Sequence, residues 1–208
     1  GSTSRSCRSR TGSPSAAGKA PVPDSLREDH VREFTRSAVR SGLLSEQELY
    51  DEVLLAITSE LPFVEEPEAV ARQWIDEFRD ELRRDAEAWP DVTDYDRLQA
   101  AFADLEAVNV VVLQGCEDHW AAKDLLDASE DHPPRGIAWF TQPDVWHAID
   151  EGMLEVNVWH ADTANVAPGD ALLDQVIGVL AGHGLEAHFD EGRVEVSASW
   201  QRRPEQHR

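Results

Sequence analysis

Residues 105–113, Leu105-Glu106-Ala107-Val108-Asn109-Val110-Val111-Val112-Leu113, mark the point where the hydrophobic period of the chain changes. Leu105 closes a stripe of Tyr95, Leu98, Phe102 and Leu105 at three- and four-residue spacing, the period of an amphipathic helix starting at Thr93. A short continuous run, Val110 to Leu113, follows at once and reads as a buried strand. Before this point the chain reads as helix. After it, strands and helices alternate.

Toward the N-terminus, three helices are expected over residues 25–90. Ser25 with Glu28 forms a capping-box pattern, and Leu26, Val31, Phe34 and Ala38 share one face before Gly42. Ser45 with Glu48 repeats the cap, and Leu49, Val53, Ile57 and Leu61 follow at four-residue spacing up to Pro62. Pro67 suits the first turn of the third helix, where its missing N–H costs nothing. Val70, Trp74, Phe78, Leu82 and Trp89 line that helix before Pro90. Such stripes must be buried on one another or on the second half.

Toward the C-terminus, a helix over 118–127 precedes the breaker His132-Pro133-Pro134-Arg135-Gly136, and Ile137 to Phe140 form the second strand. Pro143 opens a short helix carrying Val145, Trp146 and Ile149. Leu154, Val156 and Val158 alternate with Glu155, Asn157 and Trp159, as in a half-exposed strand. A helix from Asp170 carries Leu172, Leu173, Val176, Ile177 and Leu180. A hairpin ends the fold, with Leu185, Ala187 and Phe189 in one arm and Val194, Val196, Ala198 and Trp200 in the other. The expected fold is α+β: an N-terminal three-helix segment (25–90), then a two-layer α/β sandwich (93–203) on a mixed sheet of about five strands.

The 208 residues carry 19 Lys+Arg against 41 Asp+Glu, a formal net charge of −22, and 41% are hydrophobic, enough to bury a core. A field of that sign repels polyphosphate and anionic lipid, which argues against nucleic acid or a membrane as partner. No apolar run approaches the ~20 residues of a bilayer span. Residues 1–23 hold Arg5, Arg8, Arg10 and Lys19 and no acid, so removing those four charges leaves −26 on residues 24–208. This Ser-rich head, residues 1–24, is read as a disordered basic tail. Two cysteines, Cys7 and Cys116, make no disulfide framework and point to a reducing cytoplasm.

No nucleophile elbow, P-loop, H-E-x-x-H or EF-hand loop occurs. Gly182 to Ala187 matches G-x-G-x-x-A but follows a helix and enters a strand, so it is a helix end and no dinucleotide site. Cys116 and His119, three apart, are candidate zinc ligands with His160, and His132 or Asp162 could complete the set. The plainer reading is a buried thiol beside a helix N-cap, Asp118. Asp144, His147 and Asp150 share a helix face, where a carboxylate can orient an imidazole as general base. They read more plainly as a solvated histidine between two helix carboxylates. Of seven tryptophans, Trp74, Trp89, Trp139 and Trp146 fall on core positions; for Trp159 and Trp200 core packing is the plainer reading, and both are also candidate partner-binding residues.

Four segments carry a resemblance over residues 95–203: Leu98 to Val108, Arg135 to Asp144, Gly182 to Leu185, and Val194 to Arg203. Through them the second half resembles a family of uncharacterised bacterial proteins with a domain of unknown function. Members carry a Cys-Cys-x-x-Cys-Gly stretch after the first strand, suggestive of metal or redox chemistry. Here only Cys116 corresponds, and Thr141 stands where the resemblance implies a histidine. The expected function is therefore a non-enzymatic, cytoplasmic interaction or regulatory module, without cofactor, whose acidic surface docks a basic protein partner. The alternative is a metal-binding protein or metal-assisted hydrolase using Cys116, His119 and His160. A third reading has the acidity serve solubility alone.

Overall fold

The computed structural model describes residues 23–129 and 133–204. Three helices come first, α1 (Asp24–Ser41), α2 (Glu46–Glu60) and α3 (Pro67–Ala86). Their stripes meet in one core, built around Val31, Val53, Ile57, Ala71, Trp74 and Phe78. α2 begins as expected: Glu48 N–H donates to the Ser45 hydroxyl, and Ser45 N–H donates to the Glu48 carboxylate. α1 differs. Pro23, in extended conformation (φ −57°, ψ 143°), precedes a helix that starts at Asp24, so Ser25 lies inside the first turn and caps nothing. Leu26 on that uncovered turn is 57% exposed instead of buried. α3 stops at Ala86, and Trp89 lies beyond the helix end, half-buried against the same core. The basic tail expected over residues 1–24 lies outside the described residues, apart from Pro23 and Asp24.

Ion pairs tie α1 to α3. Arg36 and Arg40 both reach Glu81 at 2.7 Å, Arg40 also reaches Asp85, and Arg32 meets Glu77 at 2.5 Å. Burial pushes the Glu81 carboxyl up, but the hydrogen bonds from Arg40 and Arg36 outweigh it and hold the group below its usual range.

The second half continues with α4 (Asp94–Ala107), β1 (Val110–Cys116), α5 (His119–Asp127), β2 (Gly136–Thr141), α6 (Gln142–Asp150), β3 (Met153–His160), α7 (Ala171–Gly182), β4 (Glu186–Asp190) and β5 (Arg193–Ser197). The five strands lie in the order β1-β2-β3-β5-β4; β1 and β2 are parallel and the other pairs antiparallel. This is the expected α+β fold with a mixed sheet. Leu98, Phe102 and Leu105 of α4, with Leu173, Val176 and Leu180 of α7, cover one face at Phe140, Leu154, Val156, Val158, Val194 and Val196. The architecture departs from two layers at α5. Joining two parallel strands requires a crossover, and α5 crosses on the opposite face, where Ala122 and Leu126 cover Ile137, Trp139 and Cys116.

A bulge interrupts β1. Leu113 pairs with Trp139, yet the next partners are Cys116 and Thr141, so one extra residue is inserted. Gly115 adopts φ +62° there, and a Cβ on it would stand 2.5 Å from the Leu43 side chain. Because strand side chains alternate, the inserted residue turns Cys116 onto the α5 face with Val111 and Leu113.

Trp200 joins the halves. It is 4% exposed, its indole N–H donates to the Ser41 carbonyl at 3.0 Å, and its ring meets Tyr95 (4.9 Å) and Phe140 (6.0 Å) edge-on. Arg202 donates to the Gly42 carbonyl, and Arg203 to that of Pro90 at 2.6 Å. Phe34 of α1 also meets Trp146 of α6 edge-on at 5.8 Å. Trp200 lies beyond the end of β5, not in the hairpin arm expected for it, and its burial follows the core-packing reading and leaves no surface for the partner-binding one. No helix among the described residues is long and apolar enough to cross a membrane.

Two glycines test this packing in opposite directions. A Cβ at Gly136 would stand 2.3 Å from the Trp159 backbone oxygen, whereas at Gly178, inside α7, it would meet nothing within 4 Å. Gly136→Ala is expected to lower unfolding free energy by about 2–3 kcal/mol. Gly178→Ala should raise it by about 0.5–1 kcal/mol by stiffening the unfolded chain and favouring helix. Urea melts of both variants measure the signs.

Candidate functional site

The register of the sheet decides the fate of the metal candidates. Cys116 is level with Thr141 on β2, whereas His160 is level with Gly136 at the other end of that strand. The rise of an extended chain puts about 17 Å between the two levels. The Cys116 thiol donates to the Phe140 carbonyl at 3.4 Å, and burial pushes its pKa up. His119 is exposed on α5, its ring tilted against that of Trp120 at 4.7 Å. His160 Nε2 lies 3.1 Å from the Asp170 carboxylate, which also accepts from Ala167 N–H at 2.8 Å. Those two bonds, the Ala167 one first, hold the Asp170 carboxyl below its usual range. Asp162 accepts from Ala164 N–H within its own turn. His132 lies outside the described residues. Among the described residues no three His, Cys, Asp or Glu side chains gather to hold a metal ion.

The expected catalytic face of α6 is also divided. Asp144 accepts from the Thr141 backbone N–H and hydroxyl, both at 2.7 Å, so its carboxylate caps the start of α6. The residue at the position where the resemblance implied a histidine is thus a capping threonine. His147 sits in the last turn, and Asp150 is exposed at the helix end.

Trp159 stands at a boundary. Its ring meets Trp139 edge-on at 4.8 Å beside the cluster beneath α5, and it remains half-buried. α5 covers only the β1–β2 part of this face. Beyond Trp159 the outward side chains are Glu155 and Asn157 of β3, Arg193 and Glu195 of β5, and Glu186, His188 and Asp190 of β4. Glu155 and Glu195 are direct cross-strand partners, an arrangement in which like charges repel. Arg193 pairs with Glu155, and His188 Nε2 lies 3.3 Å from Glu195. The alternation of acids was visible in the sequence, but their opposition required the register.

The joint between the halves forms a second feature, an open-sided cavity of about 520 Å³. Ser45, Glu48, Tyr95, Gln99, Gln114 and Arg202 line it. Gln99 and Gln114 hydrogen-bond reciprocally, each carboxamide donating to the other at 3.0 Å. The Arg202 guanidinium lies over the Tyr95 ring, 5.9 Å from its centroid. Burial pushes the Tyr95 hydroxyl pKa up, against the opposing charge of Arg202.

A family model described as a domain of unknown function (DUF6891) matches residues 24–204. The match runs through the helical half as well as the α/β half, further than the resemblance over residues 95–203 had reached. No curated protein and no solved structure matches the chain.

Burial and the raised pKa make Cys116 an inert thiol. In a Cys7→Ser background, iodoacetamide at neutral pH is expected to label Cys116 at least about tenfold more slowly in the native protein than in urea. Mass spectrometry of timed aliquots reads the ratio, and equal rates would contradict this placement.

Proposed function

The chain belongs to the DUF6891 family, and from that premise we propose that it is a non-enzymatic, cytoplasmic interaction module whose open sheet face docks a basic segment of a partner protein. The observation that carries this reading is the opposed pair Glu155 and Glu195 on the part of the sheet beyond α5. Opposed carboxylates repel one another; Arg193 answers Glu155 from within the chain, and cations from a partner add to that compensation. Glu186 and Asp190 on the neighbouring edge strand are exposed and extend the negative field.

The protein's own cations do little to neutralise that field. Arg32, Arg36, Arg40, Arg79, Arg83 and Arg97 are engaged in ion pairs on helices away from this face, and Lys123, on α5, pairs with Asp127 of its own helix. Among the described residues Arg193 pairs with Glu155 on this face, and the His188 imidazole lies beside Glu195. Trp159 at the border supplies an aromatic anchor of the kind that centres protein interfaces. Association by opposite charge is steered at long range and weakens as salt screens it.

A fluorescent arginine-rich peptide is the defined probe, read by anisotropy. Wild type is expected to bind it with an affinity that falls steeply between about 50 and about 500 mM salt. Neutralising the face with Glu186→Gln, Asp190→Asn and Glu195→Gln should weaken binding about tenfold or more. The control Glu52→Gln, Glu60→Gln and Glu65→Gln removes the same charge from the helical half and should change it little. Equal loss in both triple variants, or loss in neither, would reduce the acidity to a general property and overturn the proposal.

A further inference from the structure

We propose that the cavity at the joint is a binding site for a small uncharged heterocycle with a lactam edge, an N–H beside a C=O as in a pyrimidine or purine base. The site is independent of the acidic sheet face. Its volume, about 520 Å³, falls within the range of small-molecule sites.

The polar groups on the wall select the ligand. Gln99 projects from α4 and Gln114 from the end of β1, and their carboxamides form a two-point pair at 3.0 Å in each direction. A primary carboxamide presents a donor and an acceptor along one edge. A lactam presents the same two groups at the same spacing, so it can take the place of either glutamine against the other. Each amide also keeps one N–H and one lone pair outside this pairing, available to the rest of the ligand.

The charges around the cavity are already engaged, which is why the ligand is neutral. Glu48 accepts from Ser45 N–H at 2.8 Å, Glu46 pairs with Arg79, and Arg202 donates to the Gly42 carbonyl while covering the Tyr95 ring. Tyr95, half-buried at the wall, contributes aromatic surface for a flat ring, and the buried Trp200 backs it edge-on at 4.9 Å.

The position in the fold is an independent argument. Gln114 sits at the carboxyl end of β1, one of the two parallel strands, with α4 packed on one face of the sheet and α5 on the other. Crevices outside the carboxyl ends of parallel strands are where open α/β sheets hold ligands. The bulge falls at this same spot, and bulges concentrate where a strand must re-aim side chains beside a site.

The test is titration of the full chain with uracil and with hypoxanthine, followed by the side-chain amide NMR signals of Gln99 and Gln114. 1,3-Dimethyluracil, whose lactam N–H groups are blocked, is the control. At least one lactam is expected to give saturable shifts at both glutamines below about 10 mM, with the control at least about tenfold weaker. Gln114→Met and Gln99→Met, which keep side-chain length without the amide, should each weaken lactam binding about tenfold. Both should leave arginine-peptide binding at the sheet face unchanged, so the two proposals fail separately. Absence of saturation for both lactams, equal binding of the dimethyl control, or wild-type affinity in both methionine variants would overturn the inference.

Discussion

The indole N–H of Trp200, donated to the Ser41 carbonyl, holds the two halves of this molecule in register. Ser41 ends α1, and the last carbonyls of a helix have no partner inside it. Here one of them is satisfied by a residue 159 positions further along the chain, and the next, on Gly42, by Arg202. Gly42 adopts the left-handed conformation (φ +59°) that releases the chain from α1. Leu43 is then placed against Gly115, where only a residue without a side chain admits it. The bulge in β1, the turning of Cys116 toward α5 and the shape of the joint cavity all lie around this contact.

Two surfaces of different chemistry result. The sheet face beyond Trp159 is dominated by charge, with carboxylates opposed across strands and, among the described residues, Arg193 paired with one of them. In the docking role proposed for it, such a surface acts over about a Debye length and selects a partner by sign. The joint cavity works by direction, through paired carboxamides whose charged neighbours are already engaged. Its selectivity comes from matching donors to acceptors, which salt hardly affects.

The candidate chemistry shows why spacing along the chain is a weak guide to a site. Cys116 and His119 are three residues apart, yet the bulge buries one beneath α5 while the other lies in the open against Trp120. His160 is a strand length away because β3 runs antiparallel to β2. Asp144 and His147 share a helix face, but the Asp144 carboxylate serves the backbone and hydroxyl of Thr141. For each acid the nearest backbone donors compete with the proposed chemistry, and at the start of a helix they prevail.

Periodicity alone determined the order and kind of the elements, because the apolar stripes of α2, α3, α4 and α7 and the alternation in β3 and β5 are local consequences of burying one face. The same reading recognised the acid excess and the capping of α2, both written within a few residues. It misplaced the start of α1, the end of α3 and Trp200, where the deciding partner or constraint lay outside the pattern: the turn at Pro23, the helix stop at Ala86 and the distant Ser41 carbonyl. Only the tertiary structure decided which face α5 covers, that Glu155 opposes Glu195, and that Gln99 meets Gln114. Those are properties of register and crossover, and a one-residue slip in register sends every side chain of a strand to the other face.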